Sequence, residues 1–463
     1  MTALTRAPGA DAFSRLPKRV TMRVGLVGVG RNPIHANGGT DAGARGAPVG
    51  KENRLRRSIA GLLGIFSLLS VGCREIDVAR IKGYLGSADA QVRLAYLYAT
   101  GTGVERDEAA ATKWYRRAAE QGNPLAQLTV GNRYLQGVGV EQDAPTAASW
   151  FQRAADQGQP EAQARLGTML AGGLGIERND AEALRYLRLA IDQGRADAML
   201  TFGFMYSAGH GVEADEKAGF EWVRKAAEAG YPAAQVILAR HYAVGKGVAK
   251  NDAESVRWYR KAAEQGVAGA QNQLGIAYST GVGIEKNPAA ALEWLTKAAE
   301  QGDALAQQNL GSLYVKGEGV PVDFARAAEW SRRAADRGLP SAQYNVGYAY
   351  AYGLGVAKDE SEAARWFERA AAAGHAMAQE SLGLAYLVGR GVAKDETRAL
   401  MWLELAAESG QKDSAGALVD LRKVLDESKQ AEARQLAQAW RESRAGRPQA
   451  AVPPADAAPP TPE

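Results

Sequence analysis

The chain has 463 residues, 46% of them hydrophobic and 23% charged, with a formal net charge of +4. The basic excess sits in the first 72 residues, which hold 11 Lys/Arg against 3 Asp/Glu, while the remainder holds 45 against 49. A mildly acidic body argues against nucleic-acid binding, which needs positive charge on the folded part, and a single cysteine, Cys73, excludes internal disulfides and cysteine-based metal clusters.

Residues 1–48 contain "RVGLVGVGRNP" (23–33), which mimics the start of a dinucleotide-binding strand and turn. Pro33 replaces the third glycine and no helix follows, so no cofactor is expected. A secretory signal does not begin this far inside a chain. Residues 1–48 therefore read as disordered or as a misassigned extension, with initiation near Val49 or at Met22. Residues 49–72 read as a lipoprotein-type signal peptide: a basic segment, then thirteen largely apolar residues from Ile59 to Val71. That run is shorter than the roughly 20 residues a bilayer-spanning helix needs. Its ending, "LSVGC", resembles a bacterial lipobox, which implies lipid on Cys73 and attachment to a membrane through it. Arg74 stands where Asp would commonly signal inner-membrane retention, so an outer-membrane lipoprotein facing the periplasm is expected. The alternatives are a membrane anchor or an ordinary signal peptide with an incidental cysteine.

From residue 89 to about 410 the chain repeats. Gly-x-Gly pairs begin at Gly101, Gly137, Gly173, Gly209, Gly245, Gly281, Gly317, Gly353 and Gly389, every step being 36 residues. A constant period of this size marks a stacked array, not a ligand loop. In "AQNQLGIAYSTGVGIEKNPAAALEWLTKAAEQGD" a first helix places Ala270, Leu274, Gly275 and Tyr278 on one face, and a second places Ala291, Trp294 and Ala298 on another. The glycine pair closes the first helix. An Asp or Asn follows at Asp107, Asp143, Asn179, Asp215, Asn251, Asn287, Asp323, Asp359 and Asp395, each an N-cap for the second helix. The predicted fold is all-α, a superhelical solenoid of about nine helix-turn-helix repeats spanning 73–445. Each first helix should pack on its partner and on the next first helix. Degenerate caps are expected at 75–86 and 412–444, and residues 446–463, with six prolines, read as a disordered tail.

The unit Ala-x-x-x-Leu-Gly-x-x-Tyr, Gly-x-Gly-Val, then Trp and Ala-Ala-x-x-Gly, resembles the Sel1-like repeat, a relative of the tetratricopeptide repeat. The resemblance implies a scaffold that binds partners in a concave groove, here protein partners of an envelope complex. It places at the groove the residues before and after Leu-Gly on each first helix, among them Phe204, Arg240, Asn272, Gln308, Tyr344, Tyr348 and Glu380, with Asn345 alongside. Tyr344, Tyr348 and Tyr352 lie at i, i+4 and i+8 and make one stripe. Such tyrosines suit an extended peptide or a sugar ring, or they pack on neighbouring repeats.

Two other readings stand beside this scaffold. One is a scaffold for exopolysaccharide secretion, as some periplasmic lipoproteins with this repeat are. The other is a hydrolase acting on cell wall or β-lactams, as suggested for a cysteine-rich branch whose cysteines this chain lacks. Catalysis needs a converging nucleophile, base and oxyanion donors, whereas nearly every polar residue here recurs by period. The four histidines show no metal-ligand spacing. No catalytic residue, metal or nucleic-acid partner is therefore expected.

Overall fold

The computed structural model describes residues 86–411 and 415–445, and every regular element among them is an α-helix. The first helices of the nine hairpins are α1 (Ala88–Thr100), α3 (Pro124–Gln136), α5 (Pro160–Gly172), α7 (Ala196–Ala208), α9 (Pro232–Val244), α11 (Ala268–Thr280), α13 (Ala304–Lys316), α15 (Pro340–Tyr352) and α17 (Ala376–Val388). Their partners are α2 (Glu108–Glu120), α4 (Ala144–Asp156), α6 (Asp180–Asp192), α8 (Glu216–Glu228), α10 (Asp252–Glu264), α12 (Pro288–Glu300), α14 (Phe324–Asp336), α16 (Glu360–Ala372) and α18 (Glu396–Glu408). Two further helices, α19 (Ala415–Val424) and α20 (Glu427–Ala445), follow the ninth hairpin. The expected cap at 75–86, the leader with Cys73, and residues 446–463 lie almost wholly or wholly outside the described residues.

Each hairpin turn is assembled from short-range groups. Gly137 ends α3 at φ 74° and returns its N–H to the Arg133 carbonyl. Asp143, in extended backbone, accepts the Thr146 amide at 3.0 Å and the Thr146 hydroxyl at 2.6 Å. Those two bonds favour the carboxylate and hold the Asp143 carboxyl below its usual range. The Asp143 N–H donates back to the Tyr134 carbonyl at 2.8 Å, tying the cap to the preceding helix. All nine Asp/Asn caps accept a helix amide in this way.

After the first repeat, the second glycine of each pair does more than turn the chain. A Cβ on Gly139 (φ 64°) would stand 2.1 Å from the Glu108 carbonyl oxygen, so this turn lies against the start of the preceding repeat's α2. Gly131, inside α3, likewise makes room for Phe151, whose ring would be 2.5 Å from a Cβ there. That close approach is worth more than the helix propensity glycine forfeits, about 1 kcal/mol against alanine.

Each second helix packs on its own first helix and on the next one. The expected contact between successive first helices is also present, most at α5 with α7 and α11 with α13, but it is the lesser one. The alanines of the second helices, such as Ala118, Ala119, Ala262 and Ala263, are buried and let the following first helix lie close. Successive first helices meet mostly through side chains, as where Asn309 donates to Asn272 at 2.9 Å.

A glutamine ladder crosses these junctions. Gln127 donates to the Ala119 carbonyl of α2 at 3.1 Å and accepts from Gln157 at 2.7 Å. The carbonyl tie recurs at Gln163, Gln235, Gln271, Gln307, Gln343 and Gln379. Met199 occupies the ladder position in the fourth repeat, so the junction of α6 with α7 has no such tie. There α6 meets α7 less than other second helices of the array meet the first helix that follows, while α5 meets α7 more than other first helices meet their successors.

The C-terminal pair departs from the repeat. α20 packs along α18, with Ala433 and Ala437 buried and Trp440 edge-on to Trp402 at 6.2 Å. Arg441 pairs with Glu408 at 2.6 Å. Arg444 lies over Gly374, where a Cβ would collide with its guanidinium, so α20 ends beside the start of α17.

Candidate functional site

The two residues flanking Leu-Gly on each first helix prove unequal. The earlier one is buried at Leu128, Ala164, Leu200 and Val236, where it is covered by the neighbouring repeat. The later one stands open at Tyr96, Thr168, Phe204, Tyr348 and Leu384. Asn272 is therefore a correction: it is 1% exposed, and its carboxamide oxygen is taken by Asn309, so it presents nothing to a groove. Gln308 is half-buried and accepts the Ser341 hydroxyl at 2.6 Å, while Arg240 and Glu380 are half-buried on α9 and α17. Phe204 is exposed on α7, four repeats from the tyrosines. The expected groove residues are thus distributed along the array, and only those on and beside α15 gather into one feature.

On α15 the three tyrosines form a continuous aromatic edge. The ring centroids of Tyr344 and Tyr348 are 6.2 Å apart, and those of Tyr348 and Tyr352 are 4.5 Å apart. Tyr344 is half-buried, stacked on His375 at 5.0 Å and tilted against Phe367 at 5.7 Å. Burial pushes its phenol above the usual value and holds the His375 imidazole below its own. Tyr348 and Tyr352 are 42% and 63% exposed. The stripe therefore divides: Tyr344 anchors in the core and its two successors face outward.

Beside the stripe lies a cleft of about 440 Å³, bordered by Ser312, Val315, Phe324, Ser331, Asn345 and Tyr348 among others. Its origin is one substitution in the repeat pattern. The core position of the second helix carries Tyr115, Phe151, Leu187, Val223, Tyr259, Leu295, Phe367 and Leu403, but Ser331 in the seventh repeat. A Cβ on Gly167 or Gly275 would collide with Leu187 or Leu295, whereas on Gly311 the nearest atoms would be the Ser331 hydroxyl at 3.1 Å and the Ala327 carbonyl oxygen at 3.2 Å. The missing side chain leaves the space. Phe324 adds an exposed ring at the start of α14, where Glu108, Glu216, Glu360 and Glu396 stand in other repeats. Val315 and Met377 extend the apolar rim. Ser331 and Phe324 were not singled out from the sequence, yet aligning the repeats by the period exposes both. Another hollow, of about 520 Å³, lies over the turn from Tyr134 to Asp143, where Asp143 already caps α4 and Gln142 donates to the Leu135 carbonyl at 2.9 Å. Among the described residues no His, Cys, Asp and Glu cluster could hold a metal ion.

The sequence model of the Sel1 repeat matches nine consecutive segments, 88–123, 124–159, 160–194, 196–231, 232–267, 268–303, 304–339, 340–375 and 376–411. The chain belongs to the Sel1 repeat family. Solved structures with a similar fold include the Sel1 repeat protein from Oxalobacter formigenes, 34% identical over 69% of this chain and 92% of that one, with a TM-score of 0.48. Another is c5321, a protective antigen of uropathogenic Escherichia coli strains, 32% identical over 80% of this chain and 95% of that one, TM-score 0.41. The immunity protein Pa5087 of Pseudomonas aeruginosa is 21% identical over 46% of this chain and 81% of that one, TM-score 0.34. No curated protein matches the chain. Within this Sel1 array, Ser331 and Phe324 set the seventh repeat apart from the others, beside the tyrosines of the eighth.

Proposed function

We propose that this Sel1 repeat protein is a non-enzymatic docking scaffold of the cell envelope that seats extended protein segments at the seventh and eighth repeats. Repeat solenoids of this kind typically serve protein interaction. The observation that supports this site is the pair of exposed rings, Tyr348 and Tyr352, beside the cleft at Ser331. Rigid aromatic faces with a hydroxyl at one end lose little entropy on binding and recur as interface anchors. The test is partner capture by Tyr348→Ala/Tyr352→Ala, followed by mass spectrometry. A docking stripe loses its partners by tenfold or more at an unchanged melting temperature. Capture equal to wild type would overturn this site.

The envelope placement rests on the leader. The apolar run ending at Cys73 supports lipidation, which would hold the mature chain on the outer membrane. Cys73→Ser should then abolish palmitate labelling and release the protein into the soluble fraction. Persistent labelling would refute the assignment.

A further inference from the structure

The stripe has a candidate occupant on the same chain. α20 ends at Ala445, with Arg444 lying over Gly374. The residue after Gly374 is His375, which stacks on Tyr344 at 5.0 Å. Tyr344 and the buried face of α20, through Ala433, Ala437 and Trp440, belong to one apolar cluster. The last turn of α20 thus reaches, through Arg444, the residue next to the one that stacks on the first ring of the stripe.

Residues 446–463 read "GRPQAAVPPADAAPPTPE", with six prolines in eighteen residues. In a polyproline II helix three residues make a turn and each advances about 3.1 Å. Pro453-Pro454 and Pro459-Pro460 are six residues apart, two turns, so both pairs fall on one face. In that conformation Pro459 and Pro462 would stand one turn, about 9 Å, apart. The stripe from Tyr344 to Tyr352 is about 12 Å long at 1.5 Å per helical residue, and eighteen tail residues reach about 55 Å. The tail can cover the stripe several times over.

The chemistry matches as well. Proline rings pack on aromatic faces, and a polyproline strand brings acceptor carbonyls without amides at its prolines. Tyr348, Tyr352 and Asn345 present donors along the stripe and cleft. Exposed Lys316 borders the cleft, and the tail carries Asp456 and Glu463.

We propose that residues 446–463 dock in cis, as a polyproline II strand, along Tyr344, Tyr348 and Tyr352 and into the cleft at Ser331. This rests on the stripe being a docking surface, and makes the tail its resident occupant, displaced by partner segments of the same proline-rich chemistry. Tethering suffices for weak contacts to count. At an effective concentration on the order of 1 mM, a segment with a Kd of about 100 μM is bound roughly nine-tenths of the time.

The test uses the full chain with a photo-crosslinking residue at Ala458, irradiated at sub-micromolar concentration and mapped by mass spectrometry. Adducts should fall within the same chain, on α15 and on rim residues such as Val315 and Met377. Tyr348→Ala/Tyr352→Ala should lower their yield at least tenfold. So should replacing Pro453, Pro454, Pro459 and Pro460 together by Ala, a change beyond the end of α20 that should leave the melting temperature unmoved. Adducts scattered over the array, adducts between two chains, or yields unmoved by both variants would overturn the inference. The two proposals fail separately. If the adducts fail but the tyrosine variant still loses partners, the docking surface stands without its tail. If the adducts form but that variant keeps its partners, the tail docks and the partner reading falls.

Discussion

Gln157 donates its side-chain amide to the Gln127 carboxamide oxygen at 2.7 Å, across thirty residues of sequence. The same pair recurs as Gln121–Gln91, Gln193–Gln163, Gln265–Gln235 and Gln301–Gln271. In the eighth repeat the donor is missing, because Ala373 stands where Gln157 does, and the buried Oε1 of Gln343 has no hydrogen-bond partner. Restoring the donor with Ala373→Gln should stabilise the fold by about 1 kcal/mol, the net worth of one such bond. Gln127→Ala should cost about 1–3 kcal/mol by removing its two hydrogen bonds, at about 0.5–1.5 kcal/mol each, the Ala119 carbonyl keeping the Gly122 amide. Urea midpoints at constant slope measure both.

Ser331 offers a sharper coupling between stability and binding. Ser331→Leu supplies the side chain that Leu187 and Leu295 supply in their own repeats. It should raise stability by up to about 2 kcal/mol through burial of apolar surface. By closing the cleft it should also weaken partner capture. A rise in melting temperature with capture unchanged would show that binding does not use the cleft.

The second glycines allow backbone strain to be separated from contact between repeats. Gly103 has φ 73° and nothing within 4 Å of where a Cβ would stand, whereas a Cβ on Gly139 would strike Glu108. Gly103→Ala should therefore cost only the left-handed backbone penalty, about 1–2 kcal/mol. Gly139→Ala should cost clearly more, because α2 must move away as well. Equal losses in the two variants would contradict the assigned contact.

Acid should weaken the array through His375. Burial depresses its folded-state pKa below the ordinary imidazole value, near 6.5. Between the folded and unfolded values the unfolded chain binds more protons, so stability rises with pH across that window. The contribution is present above about pH 6.5 and is lost as the pH falls toward the folded value. His241 is shifted the same way, first by burial and then by Lys246. His375 also caps α17 through Nδ1, accepting the Ala378 amide at 3.3 Å, and Asn123 performs that capping in the second repeat. His375→Asn should keep the cap while flattening the melting temperature between pH 7 and more acidic buffer. An unchanged pH slope would count against His375 as a source.

The fold could be read from the chain because its decisive contacts are local. An Asp or Asn capping an amide two or three residues ahead, and a glycine closing its own helix, leave their marks at fixed short spacing. Asn272 was misplaced because its partner, Asn309, is thirty-seven residues away and belongs to the next repeat. The glutamine ladder was missed for the same reason, since its bonds join positions that become neighbours only once helices are stacked. The tyrosine stripe was visible as an i, i+4, i+8 series, but not its division into a buried anchor and two exposed rings. That division depends on His375 and Phe367 covering Tyr344 alone.

The seam at Met199 has a mechanical consequence. An array whose units are tied one to the next behaves as springs in series, and the softest spring takes most of the extension. With no glutamine tie, and with α6 gripping α7 less than other second helices grip the first helix that follows, the array should bend, and under load separate first, between its third and fourth repeats. Pulled from its ends, it should yield as two blocks of three and six repeats, and Met199→Gln should erase the early yield.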